Sequence, residues 1–149
     1  TSDSATTSNT TTEAPAATPA APAETPAAAT GGANVDLSNK GIGPVKTVNP
    51  PLAATPDQAL AEKGKELFKI NCTACHKPTK KFIGPAPKGI LERRAPEWVM
   101  NMILNPEGMI AQDPIAKQLL AEANGAPMAN QHLTEEQARA ILEYFRTIE

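Results

Sequence analysis

The chain has 149 residues and a formal net charge of −2, which is enough length for one ordinary domain. The near balance of 14 Lys and Arg against 16 Asp and Glu excludes the strongly basic face of a dedicated nucleic-acid-binding protein. No run of apolar residues is long enough to span a bilayer.

Residues 1–34 consist almost entirely of Thr, Ser, Ala, Pro and Gly, with no Val, Ile, Leu or aromatic residue. Such a segment cannot bury enough apolar surface to offset the entropy lost on ordering. Repeated Ala-Pro and Thr-Pro steps favour an extended tether, and a spacer between an anchor and a working domain is favoured over a tail without a role. Because a signal peptide is not evident, we expect a mature or truncated form whose export signal or anchor lies before Thr1.

The next segment, residues 35–54, begins with VDLSNKGIGPVKTVNPPL and is rich in Gly and Pro. This composition predicts irregular backbone. The spaced Val, Leu and Ile residues indicate that the segment packs on the surface of the domain that follows, which we place at residues 55–149.

The domain begins with a predicted helix in TPDQALAEKGKELFKI, where Thr55 is the expected N-cap and Pro56 the first helical residue. Gln58 stands where the partner residue of a capping box belongs. A second helix is predicted over residues 96–104, ending before Asn105 and Pro106.

A third helix is predicted over residues 114–123, with Asp113 as its cap and Gly125 after its end. The last helix begins at TEEQ, where Thr134 and Gln137 form a capping box. No segment alternates as a strand does, so the fold class is all-α with about four short helices. With only five aromatic residues, such a core needs a disulfide, a metal or a bulky cofactor to stabilise it.

The sequence CTACH, residues 72–76, supplies the only two cysteines, Cys72 and Cys75, followed directly by His76. The pattern C-x-x-C-H is typical of covalent haem attachment. The two thiols add to the vinyl groups on one edge of the porphyrin, and the adjacent imidazole binds the iron. The sequence therefore predicts one covalently bound haem c.

Three alternatives are less well supported. A structural zinc site needs four ligands, and outside this cluster only His132 offers another histidine. A thiol-disulfide oxidoreductase places its C-x-x-C motif at a helix N-terminus, whereas this motif follows a helix. A disulfide that closes so short a loop stabilises little.

Residues 55–148 resemble the monohaem class I c-type cytochromes. Besides CTACH, the resemblance depends on GKELF in the first helix, with Gly64 and Phe68, and on ILEYF in the last, with Ile141 and Tyr144. It implies a cytochrome c fold in which these two helices cross closely. A glycine inside a helix costs about 1 kcal/mol relative to Ala, so close packing is a physical reason for Gly64.

The resemblance extends to IGPAP, where it implies that the carbonyl of Pro85 accepts a hydrogen bond from His76. The family usually has a leucine two residues after this proline, and this chain has Pro87 instead. The resemblance also implies that Arg93, Arg94 and Trp98 contact the haem and its propionates. The alternative for the two arginines is a solvated pair at the start of a helix.

The sixth iron ligand has several candidates. Met100 and Met102 lie inside a predicted helix and are expected in the core, whereas Met109 lies in a predicted loop. The resemblance favours Met128, in NGAPMANQHLTEEQ, although the family order Met-Pro is reversed here. Met109 and His132 remain alternatives, and His132 is more simply explained as a solvated polar residue.

The resemblance implies a one-electron carrier with His76 and Met128 as iron ligands. It further implies a periplasmic monomer, anchored to the membrane only through its tether. The expected partners are a quinol:cytochrome c oxidoreductase of the alternative complex three type as donor and a terminal haem-copper oxidase as acceptor. Lys77, Lys80, Lys81 and Lys88 either form a basic surface for acidic partners or are ordinary solubility charges.

Two other functions remain open. The chain is either the haem domain of a larger oxidoreductase or, if the sixth iron position is vacant, a sensor or enzyme that reacts with gases or peroxide.

Overall fold

The computed structural model describes residues 35–149, so the expected tether lies outside the described residues. Five α-helices and one 3-10 turn follow in the order α1 (Gln58–Asn71), the turn (Ile90–Glu92), α2 (Pro96–Leu104), α3 (Pro106–Gln112), α4 (Pro114–Glu122) and α5 (Glu135–Arg146). Within residues 35–149 there is no strand, and the single bridge pairs Asp36 with Arg94. The all-α prediction is confirmed. None of the helices in this part is both long and apolar enough to cross a membrane.

The start of α1 differs from the prediction. Asp57, and not Thr55, is the N-cap, and its side chain accepts a hydrogen bond from the backbone N–H of Leu60 at 3.0 Å. The Asp57 N–H in turn donates to the carboxylate of Glu143 on α5. Because Asp57 is tied both to its own helix and to α5, the helix begins at Gln58, after the predicted residue.

Helices α1 and α5 cross at van der Waals distance. A Cβ added to Gly64 would overlap the backbone carbonyl of Ala140, so only glycine permits this approach. Phe68 packs against Tyr144 and Phe145, with ring centroids 5.6 and 5.8 Å apart. The expected close crossing is therefore confirmed, and it supplies the centre of the apolar core.

The capping residues of the last two helices are as predicted. Asp113 accepts from the N–H of Ala116 at 2.8 Å and caps α4. Thr134 and Gln137 form the reciprocal capping box of α5. Each cap pairs backbone N–H groups that have no partner inside their own helix.

Helix α3 was not predicted, and the placement of Met109 in a loop is wrong. Pro106 ends α2 but also occupies the first position of α3, where its missing N–H costs nothing. Met109 lies on α3 and is fully buried. Its sulfur accepts the backbone N–H of Ile42 at 3.0 Å.

Residues 35–54 contain no helix and pack on α2 and α3. The buried side chain of Asn101 accepts the N–H of Val45 and donates to the carbonyls of Lys40 and Val45, all at 2.9 Å. On the other side, Glu143 pairs with Arg139 and Arg146, which donate to the carbonyls of Pro50 and Ala53. Through these contacts the irregular segment covers parts of α2 and α5.

Candidate functional site

A cavity of about 260 Å³ opens between the helices, and its wall is almost entirely apolar. All five helices contribute to this wall, as does the segment between α1 and α2. Few side chains of the wall are able to bind a cofactor, and Cys72, Cys75 and His76 of the motif CTACH are among them. The lining residues are Phe68, Cys72, Cys75, His76, Ile83, Gly84, Pro85, Pro87, Ile90, Trp98, Val99, Met102, Ile103, Ile110, Ala116, Leu119, Leu120, Ala123, Ala126, Pro127, Met128, Ile141 and Phe145.

The motif forms one tight turn at the end of α1. Cys72 is the C-cap, and its carbonyl accepts the N–H groups of Cys75 at 3.1 Å and His76 at 2.9 Å. This turn directs all three side chains to the same cavity. Both thiols are free, with Cys72 partly buried and Cys75 exposed.

The environment of Cys72 argues against thiol-disulfide exchange. Burial raises the pKa of the Cys72 thiol to about 11, and the neighbouring Cys75 adds to the shift. Exchange requires a thiolate with a lowered pKa, and here the thiol is protonated at neutral pH.

The ring of His76 is held in one orientation. Its Nδ1 lies 2.9 Å from the carbonyl oxygen of Pro85. Since a carbonyl only accepts, Nδ1 carries the proton and Nε2 keeps its lone pair for a metal. This is the contact with Pro85 that the resemblance implies.

Gly84 also shapes the site, and its role was not predicted from the sequence. A Cβ at this position would overlap the imidazole ring of His76. The N–H of Gly84 donates to the Cys75 carbonyl at 2.8 Å, which closes the loop over the motif. The glycine of the Gly-Pro pair was the available signal, because a ring seated against the backbone leaves no room for a side chain.

Of the candidates for a sixth ligand, Met128 lies in the cavity wall. It is partly buried and is preceded by Pro127, which also lines the cavity. Met102 of α2 lines the cavity as well, so the wall contains a second methionine. The expectation that Met102 belongs to the core did not distinguish between core and cavity wall.

The remaining candidates lie elsewhere. Met100 is buried outside the cavity wall, and Met109 is bonded to the irregular segment. His132 is exposed, with a positive φ of 54°. None of the three is among the lining residues.

The three residues that were expected to contact the haem propionates have different surroundings. Trp98 lines the cavity, but its indole N–H donates to Asp113 at 3.2 Å and is thus engaged within the protein. Arg94 lies outside the wall, its guanidinium 5.5 Å from the centre of the Trp98 ring. Arg93 lines a second, more polar cavity beside Lys81 and Lys88. The two cavities share Ile83, Pro85, Leu119 and Ala123, so Arg93 lines a cavity adjacent to the one that contains the CTACH motif.

This set of groups fits a covalently bound haem. Two free thiols one turn apart, an imidazole with an available Nε2 and a thioether all line one cavity. The absence of a Cβ at Gly84 leaves space for the histidine ring. The apolar wall suits a flat, largely hydrophobic macrocycle.

Comparisons with known proteins agree with this fit. The family profile "Cytochrome c" matches residues 61–149. The chain is 50% identical to a cytochrome c from Rhodothermus marinus, with a TM-score of 0.67, over 71% of this chain and 89% of that one. An engineered R. marinus cytochrome c, solved bound to a carbene intermediate, is 49% identical, with a TM-score of 0.64, over 71% of this chain and 89% of that one.

A more distant likeness is to the cytochrome c domain of a Pseudomonas putida protein, with 27% identity and a TM-score of 0.52, over 56% of this chain and 85% of that one. The comparison with curated proteins gave no significant match. On these matches and the geometry above, the chain belongs to the cytochrome c family and carries covalently bound haem c.

Proposed function

We propose that this protein is a one-electron carrier whose haem iron is bound by His76 and Met128. The observation that carries the proposal is that Cys72, Cys75, His76 and Met128 line a single apolar cavity. Haem c supplies a one-electron couple. The two cysteines anchor it by thioether bonds, and the apolar wall excludes water and reactants.

Pro85 supports the same role. Its carbonyl oxygen accepts a hydrogen bond from the Nδ1–H of His76, 2.9 Å away, which orients the imidazole and increases its basicity towards iron. A methionine as the second ligand raises the reduction potential relative to two histidines and fills the last coordination position. A filled position suits electron transfer better than chemistry on a bound molecule.

Met128 is preferred to Met102 because of the elements that carry them. Met102 lies within α2, whose backbone is constrained by packing on α3 and α5. Met128 lies in the irregular segment between α4 and α5, which can adjust to bring a sulfur to the iron.

The test compares Met128→Ala with Met102→Leu in the haem-loaded protein. We expect the weak sulfur-to-iron absorption band at the red end of the oxidised spectrum to disappear in Met128→Ala and to persist in Met102→Leu. The opposite pattern would assign the ligand to Met102.

A second candidate function is favoured by one comparison. The engineered R. marinus cytochrome c was solved with a carbene intermediate, so a protein 49% identical to this chain accommodates a small reactive group. Under this alternative, the sixth position of the unaltered protein is open to gases or peroxide. A high-spin oxidised spectrum of the unaltered protein would support it and contradict the carrier.

For partners, we propose a quinol-oxidising complex as donor and a haem-copper oxidase as acceptor. Cys75 is exposed, so the haem edge that it would hold would lie near the surface, and Phe82 and Ile83 are exposed nearby in the chain. Lys77 lies 4.7 Å from the centre of the Phe82 ring, so basic and apolar groups occur together there. A rate of electron transfer that falls steeply with salt supports docking through these charges, and a flat response opposes it.

Two further proposals concern the propionates and the cellular location. We assign a propionate contact to Arg93, which lines the polar cavity next to the haem cavity. Cytochrome c domains are typically extracytoplasmic. A periplasmic location, with residues 1–34 as the tether to an anchor, is consistent with that and with the composition of the segment.

A further inference from the structure

Asp113 has more hydrogen bonds than a helix cap requires. Its side chain is only 2% exposed. Oδ1 accepts from the backbone N–H of Ala116 at 2.8 Å and from the indole N–H of Trp98 at 3.2 Å. Oδ2 accepts from the side-chain amide of Asn39 at 2.7 Å. The carboxylate therefore joins α2, α4 and the irregular segment at one point.

Capping alone does not explain a charge here. An uncharged Asn or Ser caps a helix about as well as Asp does. Burying a carboxylate is costly unless its oxygens are hydrogen-bonded, and both oxygens of Asp113 are. The donors from Trp98 and Asn39 belong to elements other than the capped helix. These contacts indicate a role for the charge itself.

Trp98 links this charge to the haem cavity. Its side chain lines the cavity and is 2% exposed, so Asp113, bonded to the edge of the indole ring, is one side chain away from the cavity. The guanidinium of Arg94 lies 5.5 Å from the centre of the same ring. Burial and Arg93 lower the pKa of Arg94, whereas Asp113 acts in the opposite direction, so the two buried charges interact.

We propose that Asp113 is a positioning residue that lowers the reduction potential of the haem, by holding a buried negative charge behind Trp98. The proposal deepens the electron-carrier function and rests on it. One electron from the donor would reduce a bound ferric haem to the ferrous state, so the site would lose one positive charge. A nearby buried carboxylate stabilises the ferric state more than the ferrous state, because the attraction is weakly screened in the protein interior.

Asn39 gives the irregular segment a part in this arrangement. Its side-chain oxygen accepts the N–H of Gly41 at 2.8 Å, which orients the amide so that its nitrogen reaches Asp113. Gly41 has a φ of +74°, and a side chain there would collide with the sulfur of Met109. The segment thus covers the carboxylate and keeps water away from it.

The test is the reduction potential of the haem-loaded protein, measured by spectroelectrochemical titration, in Asp113→Asn and Asp113→Ser. Both variants retain a capping oxygen and remove the charge, so either can serve if the other folds poorly. We expect the potential to shift in the positive direction. The shift should persist at high salt, because the charge is buried.

Glu97→Gln is the matched control. Like Asp113, Glu97 is a buried carboxylate, here on α2, but it pairs with Lys40 at 3.3 Å, whereas the indole N–H of Trp98 donates to Asp113. Its variant should shift the potential much less than Asp113→Asn. An unchanged or lowered potential in both Asp113 variants, or an equal shift in Glu97→Gln, would overturn the proposal.

The outcome is separable from that of the proposed function. The sulfur-to-iron band of the oxidised protein reports on Met128, whereas the potential difference between variants can be measured whichever group is the sixth ligand. If the spectrum contradicts the carrier function but Asp113→Asn still raises the reduction potential, the proposed effect of the Asp113 charge stands. A retained band without a shift would refute the charge effect alone.

Discussion

The two sides of the haem cavity are built differently. On the attachment side, residues 72–85 are joined by backbone hydrogen bonds among Cys72, Cys75, His76 and Gly84, and by the bond from His76 to Pro85. On the side of Met128, backbone hydrogen bonds extend from the end of α4 only to Ala126. The later part of this side, residues 130–134, is held by side chains such as Asn130, which donates to Glu107 at 3.3 Å.

The two sides differ in how far apart in the sequence their contacting residues lie. Every attachment contact joins residues within thirteen positions of one another, so a short motif carries most of the geometry. The Met128 segment gains its position from the helices at its two ends and from contacts with α3. We therefore expect substitutions on the attachment side to affect the haem strongly, and those on the Met128 side to affect ligation or stability separately.

The largest effect is expected from Cys72→Ala/Cys75→Ala. Because the double variant lacks both thiols, no thioether bond forms, and the denatured chain should lose essentially all of its haem. Haem staining after denaturing electrophoresis measures this. Cys75→Ala alone is the control, since Cys72 can still form one bond. Persistent staining of the double variant would show that attachment involves another residue.

A sharper comparison uses two glycines, one on each side. In Gly84→Ala the new methyl group would overlap the His76 ring and break its bond to Pro85. We expect about a tenfold loss of correctly ligated haem, the scale found when hydrogen-bond partners of metal ligands are removed. The ratio of haem to protein absorbance and the oxidised spectrum measure it.

Gly125→Ala is the counterpart on the Met128 side. Gly125 has a φ of +78° with no atom within 4 Å of an added Cβ. Only backbone strain is expected, about 1 kcal/mol of unfolding free energy, with ligation unchanged. Equal effects of the two glycine variants on the haem would contradict the difference between the two sides.

A similarly small effect is expected from Thr134→Ala, where the Met128 segment enters α5. The variant removes the oxygen that accepts the N–H of Gln137 at 3.2 Å. Loss of such a cap costs about 1 kcal/mol, measurable by denaturant unfolding. The sulfur-to-iron band should remain. Its loss would mean that the position of Met128 depends on this cap.

Much of the helical structure was predictable because its signals are local. Asp113, Thr134 and Gln137 cap the helices they were expected to cap. Helix α3 was missed because Pro106 both ends one helix and begins the next, and a proline carries no mark of which role it has. The first N-cap was misplaced by two residues because Asp57 is selected in part by Glu143, which lies far along the chain.

Within the site, local order along the chain determined the chemistry. CTACH was sufficient to predict haem attachment, and the resemblance to the family supplied Pro85 as the partner of His76, a contact between near neighbours in the chain. The close helix crossing at Gly64 was also predictable, because a glycine inside a helix lowers stability and close packing is a physical reason for keeping it.

Tertiary structure decided what depends on packing between distant segments. It placed Met102 as well as Met128 in the wall of the cavity, gave Arg93 and Arg94 different surroundings, and joined Asp113 to Trp98 and Asn39. Side chains on separate helices meet only when the core is formed, and spacing along the chain does not encode which of them face the same cavity. The sequence by itself therefore determined the cofactor, and the packing determined the surroundings that tune it.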